Sequence, residues 1–351
     1  MTDLSIIIVS WNTRELLRDC LTSIHTQTPL CDFEIMIIDN ASDDNSSQMV
    51  RRSFPHVKLI ENDRNLGFAR ACNQGLRRSS GRYAVLLNPD TWVFGNALEK
   101  MIAFLDDHGD VGALGPRIVD VDGVVDPRCA RRYPTLRSEF FEKTRLDRRF
   151  SHSQLFGAYL MTDWDHRDSR DVEALSGACL MVRREVLVQV GLLDESFFMY
   201  GEDTDWCYRI RRAGWRVFYY SDAQVAHVGG QSTSPVSEDM GIEALQSINR
   251  FFLKHYGPVY ALTHRVLIAG ISLAKQLLFM SRFLFGHDRA HYRLKLRLHR
   301  RVLAWAVSPP SQTHLLSARY PGIGSPAGDG GRVDAGAEIA HGGQGSGKSR
   351  C

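Results

Sequence analysis

Five carboxylates fall between positions 194 and 205: Asp194, Glu195, Glu202, Asp203 and Asp205. Phe197, Phe198 and Tyr200 lie among them. An apolar floor raises a carboxylate's proton affinity, which is what a general base requires. Gly201 permits a turn, and Glu202-Asp203-Thr204-Asp205 opens a helix expected to reach Arg212 and stop at Gly214. The plain alternative is that these acids only complement the dipole of a helix start, at ~0.3–1 kcal/mol each. Other residues favour chemistry. Asp39 closes one apolar run and Asp90 follows another through Asn88-Pro89. A carboxylate at a strand end can hold a hard divalent cation that also takes diphosphate oxygens. His227, at the end of a short apolar step, would add a nitrogen ligand. Taken singly, Asn88-Pro89-Asp90-Thr91 is also a good turn, and His227 also reads as a partly buried core histidine.

These residues need a scaffold. Residues 4–9 form a nearly continuous apolar run, as expected of a strand buried on both faces. Similar runs cover 33–38, 57–60, 83–87 and 111–114, and helical spacing covers 14–27, 68–78 and 97–106. Such alternation predicts a three-layer α/β fold with a parallel sheet, whose ligands bind beyond the carboxyl ends of the strands. Asp39 and Asp90 both fall there. The first loop, Ser10-Trp11-Asn12-Thr13, has no G-x-G-x-x-G, which excludes a nicotinamide dehydrogenase, and lacks the glycines and lysine of a nucleotidyltransferase. Asn65-Leu66-Gly67-Phe68-Ala69-Arg70 opens a helix whose start, with Arg70, suits a diphosphate or is an ordinary glycine turn with a surface arginine. Ser176-Gly177-Ala178 would let a ligand approach the backbone closely. Residues 127–150 carry seven arginines, among them Arg131 and Arg132, and read as a solvated loop or as a holder of a polyanionic acceptor.

Of the chain's 351 residues 44% are hydrophobic, ample for a core, and the net charge is +3. That balance hides an asymmetry. Residues 245–305 hold eleven Lys and Arg against one acid, Asp288, so a basic appendage follows an acidic body and suggests an anionic surface as partner. Seven cysteines without a C-x-x-C pair point to a reducing compartment and away from a disulfide framework or zinc ribbon. The N-terminus enters a strand-length run without a basic region and is not expected to be a signal peptide. Within 259–285 the longest charge-free run, 266–274, is far short of the ~20 residues needed to span a bilayer. His264, Lys275 and Arg282 share one helical edge, extended by Arg265, Ser272 and Gln276. That predicts a helix lying in a membrane interface, the alternative being a helix packed on the catalytic body with its cations in water. Residues 293–298 alternate with period two and leave helix or strand open. The Gly-rich tail is expected to be disordered. Its Gly342-Gly343-Gln344-Gly345-Ser346-Gly347-Lys348-Ser349 mimics a phosphate loop but has no strand before it and is discarded.

Together, Ser5-Ile6-Ile7-Ile8-Val9-Ser10-Trp11-Asn12, Ile38-Asp39-Asn40-Ala41-Ser42-Asp43, Asn65-Leu66-Gly67-Phe68-Ala69, Leu87-Asn88-Pro89-Asp90 and Gly201-Glu202-Asp203-Thr204-Asp205-Trp206-Cys207-Tyr208-Arg209 resemble family 2 glycosyltransferases of the A-type fold, in the rhamnosyltransferase-like branch. The resemblance implies a Rossmann-like domain over 1–235, while charge and composition predict a basic membrane-associating helical region over 236–305 and a disordered tail over 306–351. It implies a donor site from Ser10, Trp11, Asn12, Asp39, Asn65, Gly67, Arg70, Asn88 and Asp90, with Asp39 reading the base. It implies Mg2+ or Mn2+ on Asp90 and His227, and Asp203 as base supported by Glu202 or Asp205. Asn88 stands where the family's D-x-D has its first aspartate, a departure this branch shares. The implied reaction is inverting transfer of a sugar, L-rhamnose from dTDP-rhamnose, to a lipid-linked or cell-envelope saccharide. The implied location is the cytoplasmic face of the cell membrane, as a peripheral protein, with nucleic acid not a partner and a homo-oligomer allowed. A UDP-hexose-dependent transferase and a catalytically degenerate membrane scaffold are the competing readings.

Overall fold

The computed structural model describes residues 2–229, 237–285 and 288–308. The chain opens with β1 (Leu4–Ser10), α1 (Arg14–Gln27), β2 (Phe33–Asp39), α2 (Ser46–Ser53), β3 (Lys58–Glu61), α3 (Phe68–Arg78) and β4 (Tyr83–Leu87). Next come β5 (Thr91–Phe94), α4 (Ala97–Asp107), β6 (Val111–Val119), β7 (Ala130–Arg131), α5 (Leu136–Thr144), α6 (Leu146–Arg149), β8 (Arg170–Asp171) and β9 (Ala174–Leu175). The body ends with β10 (Cys179–Arg183), α7 (Arg184–Val190), α8 (Glu202–Arg212) and β11 (Arg216–His227), and the appendage is α9 (Ser237–Tyr256), α10 (Pro258–Phe285) and α11 (Arg289–Val307).

The nine-stranded sheet has the order β3-β2-β1-β4-β10-β6-β11-β5, with β8 on β11. β3, β2, β1, β4, β6 and β11 share one direction; β10, β5 and β8 oppose it. The sheet is therefore mixed but mainly parallel. Every residue of β1 and β4 is buried, which is why both read as unbroken apolar runs. Helices cover both faces: Leu17, Leu21 and Ile24 of α1 and Leu98, Met101 and Leu105 of α4 enter the core. Gly75 of α3 lies so close to β1 that an added Cβ would meet Ile7 at 2.7 Å.

The antiparallel β10 decides the site. Cys179 pairs with Leu87, so the start of β10 meets the carboxyl end of β4. Loops leaving β1, β2 and β4 and the loop entering β10 thus share one edge.

Several expectations change. The segment 127–150 is not an open loop: it folds into a short turn, β7, α5 and α6, with Arg131 buried. Residues 293–298 are helical, within α11. α10 is, by length and composition, able to cross a membrane. Its polar edge, however, turns inward. His264 is buried with Nε2 3.4 Å from Glu139 Oε2 of α5. Arg265 donates to the Ala306 and Trp305 carbonyls that end α11, at 3.0 and 2.6 Å. Ser272 Oγ sits 3.0 Å from His299 Nδ1. Val259, Leu262, Val266, Leu277 and Phe285 face solvent instead. The tail beyond position 308, with its phosphate-loop mimic, and the expected boundary at 235 lie outside the described residues. Among the described residues all six cysteines are free.

Candidate active site

The loops at this edge are tied together by side-chain amides. Asn12, at φ +55°, accepts the Asp43 amide at 2.7 Å, and its own N–H donates to Ser42 Oγ at 3.0 Å. Ser10 Oγ lies 3.0 Å from Thr13 Oγ1. Trp11 packs with Phe198, Met199 and Met240. Asp39, the last residue of β2, accepts Ser42 Oγ at 2.5 Å on one oxygen and the Ser47 hydroxyl on the other. Asn40 Nδ2 donates to Asn65 Oδ1 at 2.7 Å, and that oxygen also accepts the Gly67 amide at 2.9 Å.

Gly67 then lets α3 meet the acidic stretch. Its φ is +84°, and an added Cβ would lie 2.6 Å from the Phe198 carbonyl oxygen. The Phe68 amide donates to that carbonyl at 2.7 Å. Asn73 exchanges two hydrogen bonds with the Leu193 backbone, at 2.9 and 3.1 Å. Arg70 is ion-paired to Glu195 at 3.2 Å, so it enters the donor edge with a partner already.

Beyond β4, Asn88 and Asp90 converge on His227 at the end of β11. His227 Nε2 is 3.1 Å from Asp90 Oδ1 and 3.1 Å from Asn88 Nδ2. The Gly229 amide donates to the other Asp90 oxygen at 3.1 Å. Among the described residues no three His, Cys, Asp or Glu side chains form a metal-holding group. Asp90 and His227 suit an ion that draws the rest of its hexacoordinate shell from diphosphate and water. Their convergence fits such an ion as a two-residue anchor.

The Asn88 amide donates to the Ala178 carbonyl at 3.0 Å, and one residue earlier the Gly177 amide donates to Asp203 Oδ2 at 3.0 Å. This short backbone run links Asp90 to Asp203. Tyr200 and Gly201 take φ +67° and +82°, a kink that ends the aromatic loop and starts α8 with Glu202 and Asp203 turned inward. Arg131 Nη2 donates to Asp203 Oδ1 at 2.8 Å and to Thr204 Oγ1 at 3.0 Å. Burial opposes ionisation of Asp203, but Arg131 and the two backbone amides outweigh it and hold this carboxyl below its ordinary range, so the raised proton affinity expected of this stretch does not fall on Asp203, which is instead kept ionised. Glu202 goes the other way. Burial first, then the Asp203 charge, pushes it up to about 8, and its Oε2 is buried without a partner. Asp205 faces away from both. It is fully buried and binds Lys254 at 2.7 Å, His255 at 2.7 Å and Arg209 at 2.8 Å. It thus fastens α8 to α9 and does not touch Asp203.

A cavity of about 560 Å³ opens at Asp203, lined also by Glu202, Tyr200, Arg131, Lys143 and Arg148. Sequence reasoning placed Asp39, Asp90, Asp203 and His227 at one edge but missed the carriers between them. Arg131, in a segment expected to be a solvated loop or to hold a polyanionic acceptor, is buried as the counter-ion of Asp203 and lines this cavity. Asn73 stands 120 positions from Leu193, and no spacing rule reaches that far.

A mainly parallel α/β sheet with acidic loops at its carboxyl edge and a pocket beyond is the architecture of a ligand-binding α/β domain. The family model described as Glycosyl transferase family 2 matches residues 5–190, and the chain belongs to that family. It is 30% identical over 255 residues to the N-acetylglucosaminyl-diphospho-decaprenol L-rhamnosyltransferase of Mycobacterium tuberculosis, covering 66% of this chain and 78% of that protein. It is 26% identical over 216 residues to a low-salt glycan biosynthesis hexosyltransferase of Haloferax volcanii, covering 60% of this chain and 62% of that protein. Among solved structures, S. aureus TarS 1-349 in complex with UDP-GlcNAc superposes with a TM-score of 0.51 at 18% identity, covering 87% of this chain and 80% of that one; this likeness shows the fold alone. The chain is a rhamnosyltransferase-like glycosyltransferase.

Proposed function

We propose that the protein transfers L-rhamnose from dTDP-rhamnose to a hydroxyl of a lipid-linked or cell-envelope saccharide, with inversion, at the cytoplasmic face of the membrane. Residues 1–235 would be the catalytic domain and 236–305 the membrane-associating part. The carrying observation is the Gly177–Ala178 run, which joins Asp203 to Asn88 and hence to Asp90. That run supports a reading in which donor and acceptor meet at one edge. The Mycobacterium tuberculosis relative, named for rhamnosyl transfer to N-acetylglucosaminyl-diphospho-decaprenol, supports the transferred sugar and the acceptor class.

In this reading Asp39 and the Trp11-Asn12 loop hold the base, and the Gly67 helix start with Arg70 faces the diphosphate. Asp90 and His227 would hold Mg2+ or Mn2+, which stabilises the charge of the departing nucleoside diphosphate. The acceptor oxygen bonds to the anomeric carbon, the bond to diphosphate breaks with its electron pair leaving on the diphosphate, and Asp203 takes the hydroxyl proton. One carboxylate suffices for such a displacement, contributing ~10²–10⁴-fold. The acceptor enters the cavity at Asp203. The outward apolar face of α10 supports a position against the membrane surface, since a packed soluble helix turns that face inward.

The Haloferax volcanii hexosyltransferase favours a second reading, transfer from a UDP-hexose on the same fold. A donor panel with and without divalent metal, using membranes as the acceptor source, separates the two. Turnover of dTDP-rhamnose alone supports the first; turnover of UDP-hexose alone replaces it. Hydrolysis of no donor would favour a degenerate scaffold.

A further inference from the structure

Between α10 and α11 runs a groove of about 470 Å³ whose floor is Met280, Phe283 and Leu296 and whose walls carry Arg293, Arg297, Arg300 and Arg301. On α11 the first three arginines fall at i, i+4 and i+7, one stripe of a helix. All three are exposed, and none has an acidic partner among the described residues, whereas Arg301 is paired with Asp239. Unpaired guanidinium groups beside apolar side chains are the arrangement an anionic amphiphile matches, phosphate to the fork and chain to the floor. The groove continues into the exposed apolar side of α10, where Leu273 is 52%, Leu277 66% and Leu284 56% exposed. Together these make a charged rim around an unpartnered apolar surface.

We propose that this groove is a binding site for the headgroup phosphate of an anionic phospholipid in a bilayer, with Arg293, Arg297 and Arg300 as its ligands. The proposal rests on the reading of α10 as membrane-facing and adds a defined site to it. Lipid phosphate held here, with the apolar side of α10 against the acyl region, fixes the rotation of the helix pair about its axis. Arg265 ties the two helices of the pair together, and His264, set against Glu139 of α5, passes that orientation to the body.

The test is co-sedimentation of the full chain with vesicles of phosphatidylglycerol and phosphatidylcholine, against phosphatidylcholine alone. Arg293→Gln/Arg297→Gln is compared with Arg282→Gln/Arg289→Gln, which removes the same charge from exposed flanking positions. Diffuse attraction alone costs either pair about 30-fold, so a site of guanidinium–phosphate hydrogen bonds predicts a loss for the first pair at least ~10-fold greater than for the second. Equal losses would mean diffuse attraction and overturn the site. So would wild-type binding that ignores phosphatidylglycerol, or that millimolar inorganic phosphate competes away. Far-UV circular dichroism checks that both variants fold. Transfer to a detergent-dispersed membrane extract should be unchanged in both. Absence of transfer in the wild type would instead count against the transferase reading, so the two failures are distinguishable.

Discussion

Asp203→Asn removes a base and a counter-ion at once, and the structure lets the two losses be separated. Oδ1 accepts from Arg131 at 2.8 Å and from the Thr204 amide at 2.6 Å, while Oδ2 accepts from the Gly177 amide at 3.0 Å. An asparagine must turn its NH2 toward one of these donors, which leaves a buried donor unsatisfied at about 1–3 kcal/mol. Arg131, buried as well, loses its charge partner; breaking such a pair from one side costs about 3–5 kcal/mol. At roughly 1.4 °C per kcal/mol for a chain of this length, the melting temperature should fall by about 5–10 °C. The turnover number for transfer should fall ~10²–10⁴-fold, with donor affinity nearly intact. Arg131→Met/Asp203→Asn removes both charges and should regain most of the melting temperature. Transfer should stay low. Thermal melts, donor titration and product formation are read on all three proteins. Transfer recovered with stability in the double variant would make Asp203 a positioning residue. Transfer retained in the single variant would move the base to Glu202.

Three further outcomes follow from the same geometry. Asp205, held down to about 2 against the penalty of burial by His255 and then Arg209, contributes stability above its unfolded value near 4 that is lost as pH falls through 4 to 2; Asp205→Asn should abolish this acid dependence and lower the melting temperature while sparing transfer per folded molecule. Glu202 is raised, so its contribution is full below its unfolded value and is lost as pH rises toward 8; Glu202→Gln should gain melting temperature over wild type progressively across that window, and a constant difference would refute the burial argument. A chelator should suppress transfer, and His227→Ala should raise the metal concentration needed for half-maximal rate by ~10-fold or more; full activity in EDTA would remove the metal.

The sheet, the order of its helices and the candidate acids were legible because burial writes itself into sequence. A strand covered on both faces is nearly continuously apolar, as in Leu4–Ser10 and Tyr83–Leu87, and the residue that ends it marks the binding edge. Strand direction was not legible. Cys179–Arg183 is as apolar as a parallel strand, and only the long return through 120–178 sets it antiparallel and brings Gly177 to Asp203.

The amino-acid order alone thus placed Asp39, Asp90 and His227 at the edge, because each lies within a few positions of its own strand's end. Tertiary structure decided which charges meet. Arg131 binds Asp203 across 72 positions, Asp205 turns to Lys254 and His255 instead of its neighbour, and His264 and Arg265 of α10 point inward while Arg282 and most of its leucines face out. A helical wheel fixes which residues share a face. Which way the face turns depends on the free energy of burying it against neighbours far along the chain, here Glu139 and the carbonyl end of α11.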